Sequence, residues 1–420
     1  MHPVFSNHLS RRAVFKIAGQ GVLGTALVAG CRPPATQPPA SDPVVPTALP
    51  APSPTLLPTT APASATPTVS LATKIGQMLM VGFRGLTVDS QHPIVRDIQV
   101  RNLGSVVLFD YDVLSARYER NIASPQQVKE LVASLQSFAR DPLLVAIDQE
   151  GGIISRLHER YGFPPTLSHQ TLGERNDPAA TRQHAGEMAH TLAGLGINLN
   201  LAPVVDLNTN PANPIIAAYE RSFGADPQRV AAHAQAFIEA HHAAGVLCTL
   251  KHFPGHGSST ADSHQGFVDV TETWSRQEVI PYQSLIEAGL ADAVMTAHVF
   301  NAQLDPEYPA TLSHPTITGL LRKELGYDGV VISDDMQMEA IRSHYGFETA
   351  VHKTLEAGVD LIAIGNNLVY EEDIVARTVS VVTQLVENGA ISEARIDASY
   401  RRVQRLKGSP VLNRNIDSAQ

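Results

Sequence analysis

The residues best suited to chemistry lie in one short segment. It reads Lys251-His252-Phe253-Pro254-Gly255-His256-Gly257, and Asp262-Ser263-His264 follows it. The apolar run 245–250 before the lysine predicts a buried strand that ends at this segment. A carboxylate two residues from an imidazole can fix the tautomer of the ring and raise its basicity. We therefore expect an acid–base pair in a loop at a strand end, where enzymes commonly place reactive groups.

The composition restricts the class of protein. At 420 residues, with 43% hydrophobic and 17% charged residues, the chain fits one large soluble domain or two smaller ones. The formal net charge of −10 argues against a nucleic-acid partner, because phosphate binding requires clustered basic residues. Two cysteines, Cys31 and Cys248, are too few for a disulfide framework. Cys248 lies in an apolar run and is expected to be a reduced core residue.

Residues 1–31 have the pattern of an export signal. Arg11 and Arg12 form the pair of a twin-arginine signal, and the apolar stretch 17–30 is short for a membrane span. The stretch ends in Leu27-Val28-Ala29-Gly30-Cys31, which resembles a bacterial lipobox. We expect cleavage before Cys31 and acylation of this residue, which would anchor the exported protein at the outer face of the bacterial cytoplasmic membrane. A plain signal peptide or an uncleaved anchor is the alternative.

The next segment, 32–70, predicts a tether. It consists largely of Pro, Ala, Thr and Ser, with almost no charge and few large apolar side chains. Such a segment buries too little apolar surface to offset the entropy lost on ordering. We therefore expect one folded domain over residues 71–410 and a short polar tail over 411–420.

Short apolar runs alternate with longer amphipathic ones from about residue 72. Continuous apolar runs are typical of parallel strands that are buried on both faces. The predicted strands are 75–83, 105–109, 143–148, 199–205, 246–251, 293–299, 329–333 and 361–365. The predicted helices are 126–140, 179–195, 227–244, 275–289, 316–325 and 350–358, with starts signalled at Ser124-Pro125, Asp226-Pro227 and Ser313-His314-Pro315.

Eight strands with intervening helices fit a single (β/α)8 TIM-type barrel, and a doubly wound open sheet is the alternative. The positions of polar residues favour the barrel. Asp148, Asp206, Lys251-His252, His298 and Asp334 each fall at the carboxyl end of a different predicted strand. A barrel gathers these ends into one pocket, whereas an open sheet would spread them along an edge.

Several kinds of site lack their sequence signals. The histidines and cysteines do not have the spacing of a zinc site, although a mixed His/Asp metal site stays open. There is no Gly-x-Ser-x-Gly elbow, and the glycines of Asp148-Gln149-Glu150-Gly151-Gly152 do not have nucleotide-binding spacing. A carboxylate-centred site remains, which suits acetal cleavage by a nucleophilic carboxylate and a proton donor.

Three segments together resemble a known family. The Lys251-to-His264 segment, Asp148-Gln149-Glu150-Gly151-Gly152 and Ser333-Asp334-Asp335-Met336 are similar to signatures of glycoside hydrolase family 3, in its β-N-acetylhexosaminidase branch. The resemblance runs from about residue 72 to about residue 405. It implies a barrel without the C-terminal second domain of larger members, and it implies neither a metal nor an organic cofactor.

The resemblance also implies catalytic roles. Asp334 matches the nucleophile, and Asp335 is the other candidate for that role. The structural alternative is that Asp334 only caps the next helix or pairs with an arginine. His264 matches the general acid/base, with Asp262 as its partner. An imidazole has a pKa near neutrality, which suits protonation of a leaving oxygen followed by deprotonation of water.

The implied substrate-binding residues surround this pair. Asp148 and Lys251 would bind sugar hydroxyls together with His252, and Arg156 and Arg221 would contact the sugar or its neighbour. Structural ion pairs are the alternative for the two arginines. Three further residues are expected to have supporting roles: His256 and His298 would shape the pocket, and Asp206 would order its own loop.

Departures from the family pattern lie at the rim of the site. Ile153 stands where the family commonly has arginine, and Ser258 stands where it commonly has an acidic residue. Gly266-Phe267-Val268 replaces the usual Gly-Leu-Pro. Because these changes lie at the rim, they leave the preference for the leaving group undetermined, whereas the predicted reaction is unaffected.

The sequence therefore predicts an exported, lipid-anchored, monomeric enzyme that hydrolyses terminal β-linked N-acetylglucosamine with retention. Peptidoglycan-type or chitin-type oligosaccharides are the expected substrates. A β-glucosidase-like specificity, phosphorolysis, and an inactive sugar-binding lipoprotein are the alternatives. The nucleophile and the acid/base pair together argue against the last of these, because binding alone requires neither.

Overall fold

The structure, a computed structural model, describes residues 69–412. The predicted signal, Cys31, the tether up to residue 68 and the end of the tail lie outside the described residues. Within 69–412, no helix is both long and apolar enough to cross a bilayer.

Eight parallel strands form a closed barrel. The strands are β1 Leu79–Gly82, β2 Ser105–Leu108, β3 Leu144–Ile147, β4 Leu199–Asn200, β5 Leu247–Phe253, β6 Ala293–Thr296, β7 Val330–Ile332 and β8 Ile362–Ile364. Their order around the sheet is β7-β6-β5-β4-β3-β2-β1-β8, and a parallel bridge between Ile332 and Leu361 joins β7 to β8. At this seam the backbone N–H groups of Asp360 and Leu361 donate to the carbonyl of Val331 at 2.8 and 3.0 Å. The predicted barrel is therefore confirmed over the open sheet.

Helices surround the barrel. Ser124, Asp226 and Ser313 each accept a hydrogen bond from a backbone N–H two or three residues into the helix that follows, which confirms the predicted starts. The α-helices are Leu71–Gln77, Pro93–Arg101, Pro125–Phe138, His169–Arg175, Pro178–Gly194, Pro227–Ala243, Ile280–Glu287, Glu339–Tyr345, Phe347–Ala357, Ile374–Glu387 and Glu393–Lys407, and Pro315–Glu324 is a π-helix. Short 3-10 turns are Glu159–Tyr161, Arg276–Val279 and Ala310–Leu312; two-stranded pairs join Tyr111–Asp112 to Arg117–Tyr118 and Val268–Asp269 to Val299–Phe300.

The strands are apolar throughout because both of their faces are buried. In β3, Leu144 and Ala146 pack in the cluster inside the barrel, whereas Val145 and Ile147 pack in a cluster with the surrounding helices. This arrangement explains why the sequence shows continuous apolar runs rather than alternation. Cys248 is a buried free thiol on the helix side of β5, as predicted, and burial raises its pKa well above the ordinary value.

The predicted strand 75–83 is wrong in its first half. Residues Leu71–Gln77 form a helix, in which Ser70 accepts from the N–H of Thr73, and the strand begins only at Leu79. A short apolar run is compatible with either structure, and tertiary packing decides between them. A Cβ added at Gly76 would lie 1.9 Å from the carbonyl of Arg101, so this helix packs directly against the end of its neighbour.

Candidate active site

The carboxyl ends of the barrel strands bring the predicted site residues together. Asp148 follows β3, Lys251 and His252 end β5, and Asp334 follows β7 by two residues. Electrostatic interactions link Asp334 to His252, His264 and His298, which come from two other strand ends. The structure therefore places the predicted nucleophile and the predicted acid/base on one pocket.

A buried network of charges forms one wall of this pocket. The Nζ atom of Lys251 lies 2.7 Å from Asp148 Oδ1 and 2.7 Å from Glu150 Oε1. Glu150 also accepts two hydrogen bonds of 2.8 Å from Arg221, from Nε and Nη2. Asp148 accepts from Arg156 Nη2 at 3.4 Å. An ammonium has three N–H donors, so Lys251 keeps one for a ligand after its two carboxylate contacts.

Mutual attraction keeps these groups ionised although they are buried. Burial by itself would raise the pKa of the Asp148 and Glu150 carboxyls, but the charge of Lys251, with Arg156 and Arg221 respectively, outweighs it and lowers both. Burial would lower the pKa of Lys251, yet its two carboxylates raise it. The wall thus offers a ligand fixed donors and acceptors that do not change with pH near neutrality.

The His252 ring has hydrogen-bond partners on both nitrogens. Its Nδ1 lies 2.7 Å from Asp206 Oδ2, and its Nε2 lies 3.1 Å from Nη2 of Arg221. Because arginine can only donate, Nε2 is the acceptor and the hydrogen sits on Nδ1. Arg221, only 8% exposed, is thus a structural ion-pair partner here, which was the alternative considered for it. A contact of either residue with the sugar stays a prediction.

Asp206 has a wider role than the one predicted for it. Besides the ring of His252, it accepts hydrogen bonds from the backbone N–H groups of His252 at 3.2 Å and His256 at 2.8 Å. The prediction that Asp206 orders its own loop is therefore wrong about the segment, because these hydrogen bonds hold a different part of the chain. Asp206 instead ties the segment that follows β4 to β5 and to the loop that follows β5.

The loop after β5 is fixed from within the fold. His256 lies between two hydroxyl groups, with Nδ1 2.6 Å from Ser259 Oγ and Nε2 3.2 Å from Ser263 Oγ. Glu278 accepts from the N–H of Gly257 at 3.0 Å, and burial raises the pKa of Glu278 to about 8. His256 thus supports the loop that carries the acid–base pair, in keeping with its predicted role of shaping the pocket.

The predicted acid–base pair is assembled at the tip of this loop. Asp262 Oδ1 lies 2.8 Å from Nδ1 of His264 and 2.9 Å from its backbone nitrogen. The His264 side chain is 50% exposed, so the Nε2 side of the ring remains accessible. Desolvation opposes protonation, but the bond to Asp262 and the charge of Asp334 outweigh it and raise the pKa of His264.

Asp334 and its neighbour Asp335 have different environments. Burial alone would raise the pKa of Asp334, but His298, His252 and His264 outweigh it and lower the pKa to about 2. Burial raises the pKa of Asp335 to about 6, although Oδ1 of this residue accepts from the N–H groups of Gln337 at 3.0 Å and Gly365 at 2.9 Å. Asp334 is therefore the ionised carboxylate that is coupled electrostatically to His264, whereas Asp335 joins the loops that follow β7 and β8.

Glu150 and Asp110 also contribute to the site, although their positions in the sequence did not predict a role for them. Glu150 forms ion pairs with both Lys251 and Arg221. Asp110 follows β2, is 3% exposed, and lies 4.0 Å from Arg156 Nη1 and 3.5 Å from His158 Nε2. An acidic residue directly after an apolar run was the available signal for Asp110, since the same signal identified Asp148. Among the described residues, no group of three or more His, Cys, Asp or Glu is arranged to hold a metal ion.

A closed parallel barrel with a carboxylate-centred site at its strand ends is an arrangement suited to cleaving glycosidic bonds. A family model described as "Glycosyl hydrolase family 3 N terminal domain" matches residues 70–406. The chain therefore belongs to glycosyl hydrolase family 3, and the family predicted from the three sequence segments is confirmed.

The names of individual proteins that are similar to this chain are consistent with this family. A "Beta-hexosaminidase" from Xylella fastidiosa (strain M23) is 41% identical over 294 residues, covering 68% of this chain and 83% of that protein. A solved family 3 beta-N-acetylglucosaminidase from Paenibacillus sp. str. FPU-7 has a TM-score of 0.75 and 37% identity, covering 84% of this chain and 64% of that one. A beta-N-acetylhexosaminidase from Beutenbergia cavernae has a TM-score of 0.72 and 32% identity, covering 81% and 99%. These matches confirm the prediction of a glycoside hydrolase.

The electrostatic link between His264 and Asp334 predicts a titration. In NMR spectra the imidazole of His264 should titrate above its ordinary pKa, and Asp334→Asn should lower that pKa, because the variant removes a negative charge that favours the protonated ring. Comparison with His264→Gln assigns the signal. Asp110→Asn is the control, because Asp110 contacts Arg156 and His158 instead. An unchanged pKa of His264 in Asp334→Asn would show that the two groups do not face each other.

Proposed function

We propose that this chain is a retaining, exo-acting β-N-acetylhexosaminidase that hydrolyses terminal β-linked N-acetylglucosamine. The observation that carries the proposal is the electrostatic coupling of an ionised Asp334 to His264, whose ring is hydrogen-bonded to Asp262. The names of the Xylella, Paenibacillus and Beutenbergia proteins support the choice of sugar.

In the first step, Asp334 attacks the anomeric carbon of the sugar. The bond from that carbon to the glycosidic oxygen breaks, and protonated His264 gives its Nε2 proton to the departing oxygen. A lowered pKa keeps Asp334 anionic, and a raised pKa keeps a fraction of His264 protonated near neutral pH. The product is a leaving alcohol and a glycosyl ester on Asp334.

In the second step, neutral His264 accepts a proton from water as the oxygen attacks the same carbon. The ester bond breaks and Asp334 is regenerated as a carboxylate. Two displacements at one carbon give overall retention of configuration. Asp262 holds Nδ1–H of His264 throughout, so Nε2 is the nitrogen that gains and loses the proton.

The buried wall of charges binds the sugar in this proposal. Asp148 accepts from hydroxyl groups, Lys251 donates its remaining N–H, and Arg156, with 28% of its side chain exposed, contacts the ring or its neighbour. Arg221 and His252, which Glu150 and Asp206 hold in place, complete the proposed binding wall. The two displacements need a nucleophile, a proton carrier and a shaped pocket, so no cofactor is part of the proposal.

The cellular setting is also a proposal and rests on the sequence of residues 1–31. An arginine pair followed by an apolar stretch and a lipobox-like cysteine supports export and acylation at Cys31. A monomer anchored at the outer face of the cytoplasmic membrane would meet peptidoglycan-type fragments or chitin-type oligosaccharides there. A β-glucosidase-like specificity remains the nearest alternative.

A panel of chromogenic aryl glycosides tests the function directly. Protein lacking residues 1–68 should release the aryl alcohol from the β-N-acetylglucosaminide at least about tenfold faster than from the β-glucoside, because in this proposal the site binds the acetamido group and therefore rejects an analogue that lacks it. Asp148→Ala should impair cleavage, and the exposed Glu187→Gln is the control. Faster cleavage of the glucoside would overturn the specificity. A sugar 1-phosphate formed in phosphate buffer would identify a phosphorylase, which an acid/base without fixed negative charge allows.

The role of His264 predicts a dependence on the leaving group. His264→Ala should reduce kcat/KM by about 10²- to 10⁴-fold for a methyl glycoside, whose oxygen must be protonated to leave. A dinitrophenyl glycoside should lose far less in the first step, since its leaving group departs as an anion. Steady-state kinetics on both substrates measure the difference, with Asp262→Ala expected to follow the same trend more weakly. Equal losses on the two substrates would contradict the assignment of His264 as the acid.

A further inference from the structure

Large apolar side chains that remain exposed gather near the mouth of the barrel. Apart from Val69 and Val100, those found among the described residues lie in segments that follow β2 to β5: Val113, Leu114, Tyr118, Ile153, Tyr219 and Phe267. Exposed apolar groups that cluster on one face commonly mark a binding surface. Phe267 is the one that lies in the loop with the acid–base pair.

Phe267 belongs to a small aromatic platform, formed by Phe267, Phe300 and His344. The Phe267 ring lies 5.2 Å from that of Phe300 and 5.6 Å from that of His344, measured between centroids, and Phe267 is 43% exposed. The three residues come from segments that follow β5, β6 and β7. Contacts between rings at these distances hold the central ring in place while part of it stays open to solvent.

Backbone contacts fix this platform beside the acid–base pair. Phe267 is three residues from His264, and Val268–Asp269 pairs in parallel with Val299–Phe300. The N–H of Ala340, in the helix that carries His344, lies 3.4 Å from the carbonyl of Ser263. The platform is therefore on the side of the pocket that carries the proton donor, away from the buried wall of Lys251 and Glu150.

The position of the proton donor determines which part of a substrate would meet the platform. A general acid must lie within hydrogen-bond reach of the departing oxygen. The group attached to that oxygen therefore extends toward the His264 side of the pocket. When the group is a second sugar, one face of its ring presents C–H groups, which stack favourably on an aromatic surface for the same reasons that apolar groups pack there.

We propose that Phe267, supported by Phe300 and His344, is the stacking surface for the sugar ring of the leaving group. The inference rests on the proposed function and deepens it by assigning a preference for a pyranose at the leaving position.

Two substrates with similarly poor leaving groups test this preference. N,N′-diacetylchitobiose has a pyranose at the leaving position, whereas methyl β-N-acetylglucosaminide has only a methyl group. Phe267→Leu should lower kcat/KM for the disaccharide by about 3- to 10-fold, the range for loss of one aromatic contact, and change that for the methyl glycoside less than about twofold. Phe267→Tyr should retain the wild-type ratio because it keeps the ring. Val100→Ala, at an exposed apolar residue of the helix Pro93–Arg101, is the matched control.

The possible outcomes separate this inference from the function on which it rests. Equal losses on both substrates in Phe267→Leu would mean that the ring acts only through the His264 loop, and this result would overturn the stacking role. Wild-type kcat/KM for both substrates in Phe267→Leu would overturn it as well. A wild-type protein that releases no N-acetylglucosamine from either substrate would refute the proposed function itself.

Discussion

The site depends on one buried cation with two carboxylate partners. Lys251 is 2% exposed and touches both Asp148 and Glu150, while Glu150 also holds Arg221. Removing one partner from a buried ion pair costs about 3–5 kcal/mol, so the network strongly favours a single arrangement of the ends of β3 and β5. Through His252 the same network reaches Asp206 and the end of β4. The loop with the acid–base pair starts from this fixed point.

The same surroundings shift the pKa values of Asp334 and His264 in opposite directions. Neighbouring imidazoles lower the pKa of Asp334, and carboxylates raise that of His264. Each group therefore stabilises the protonation state that the proposed mechanism requires of the other: an anionic carboxylate and a protonated ring. Asp335, one residue away, is used to join two loops. Environment rather than residue type separates the roles of these adjacent aspartates.

The sequence was most informative where burial is complete. Strands such as β3 were predictable because both faces contact apolar neighbours. Asp148 and Lys251 were predictable as site residues because they lie at the ends of such strands. The helix at Leu71–Gln77 was mistaken for a strand, since a short apolar run does not reveal its period. The role of Glu150 depends on Arg221, which is distant in the sequence, and spacing could not show this pair. The platform around Phe267 likewise needs three separate segments.

The central claim is that Asp334 forms a covalent bond with the sugar. A 5-fluoro-N-acetylglucosaminyl fluoride tests it, because ring fluorine slows both displacements while the fluoride leaving group allows the first to proceed. Mass spectrometry of the protein should then show one added sugar, and peptide fragmentation should place it on Asp334. Attachment to Asp335, or a released sugar of inverted anomeric configuration with no adduct, would contradict the account.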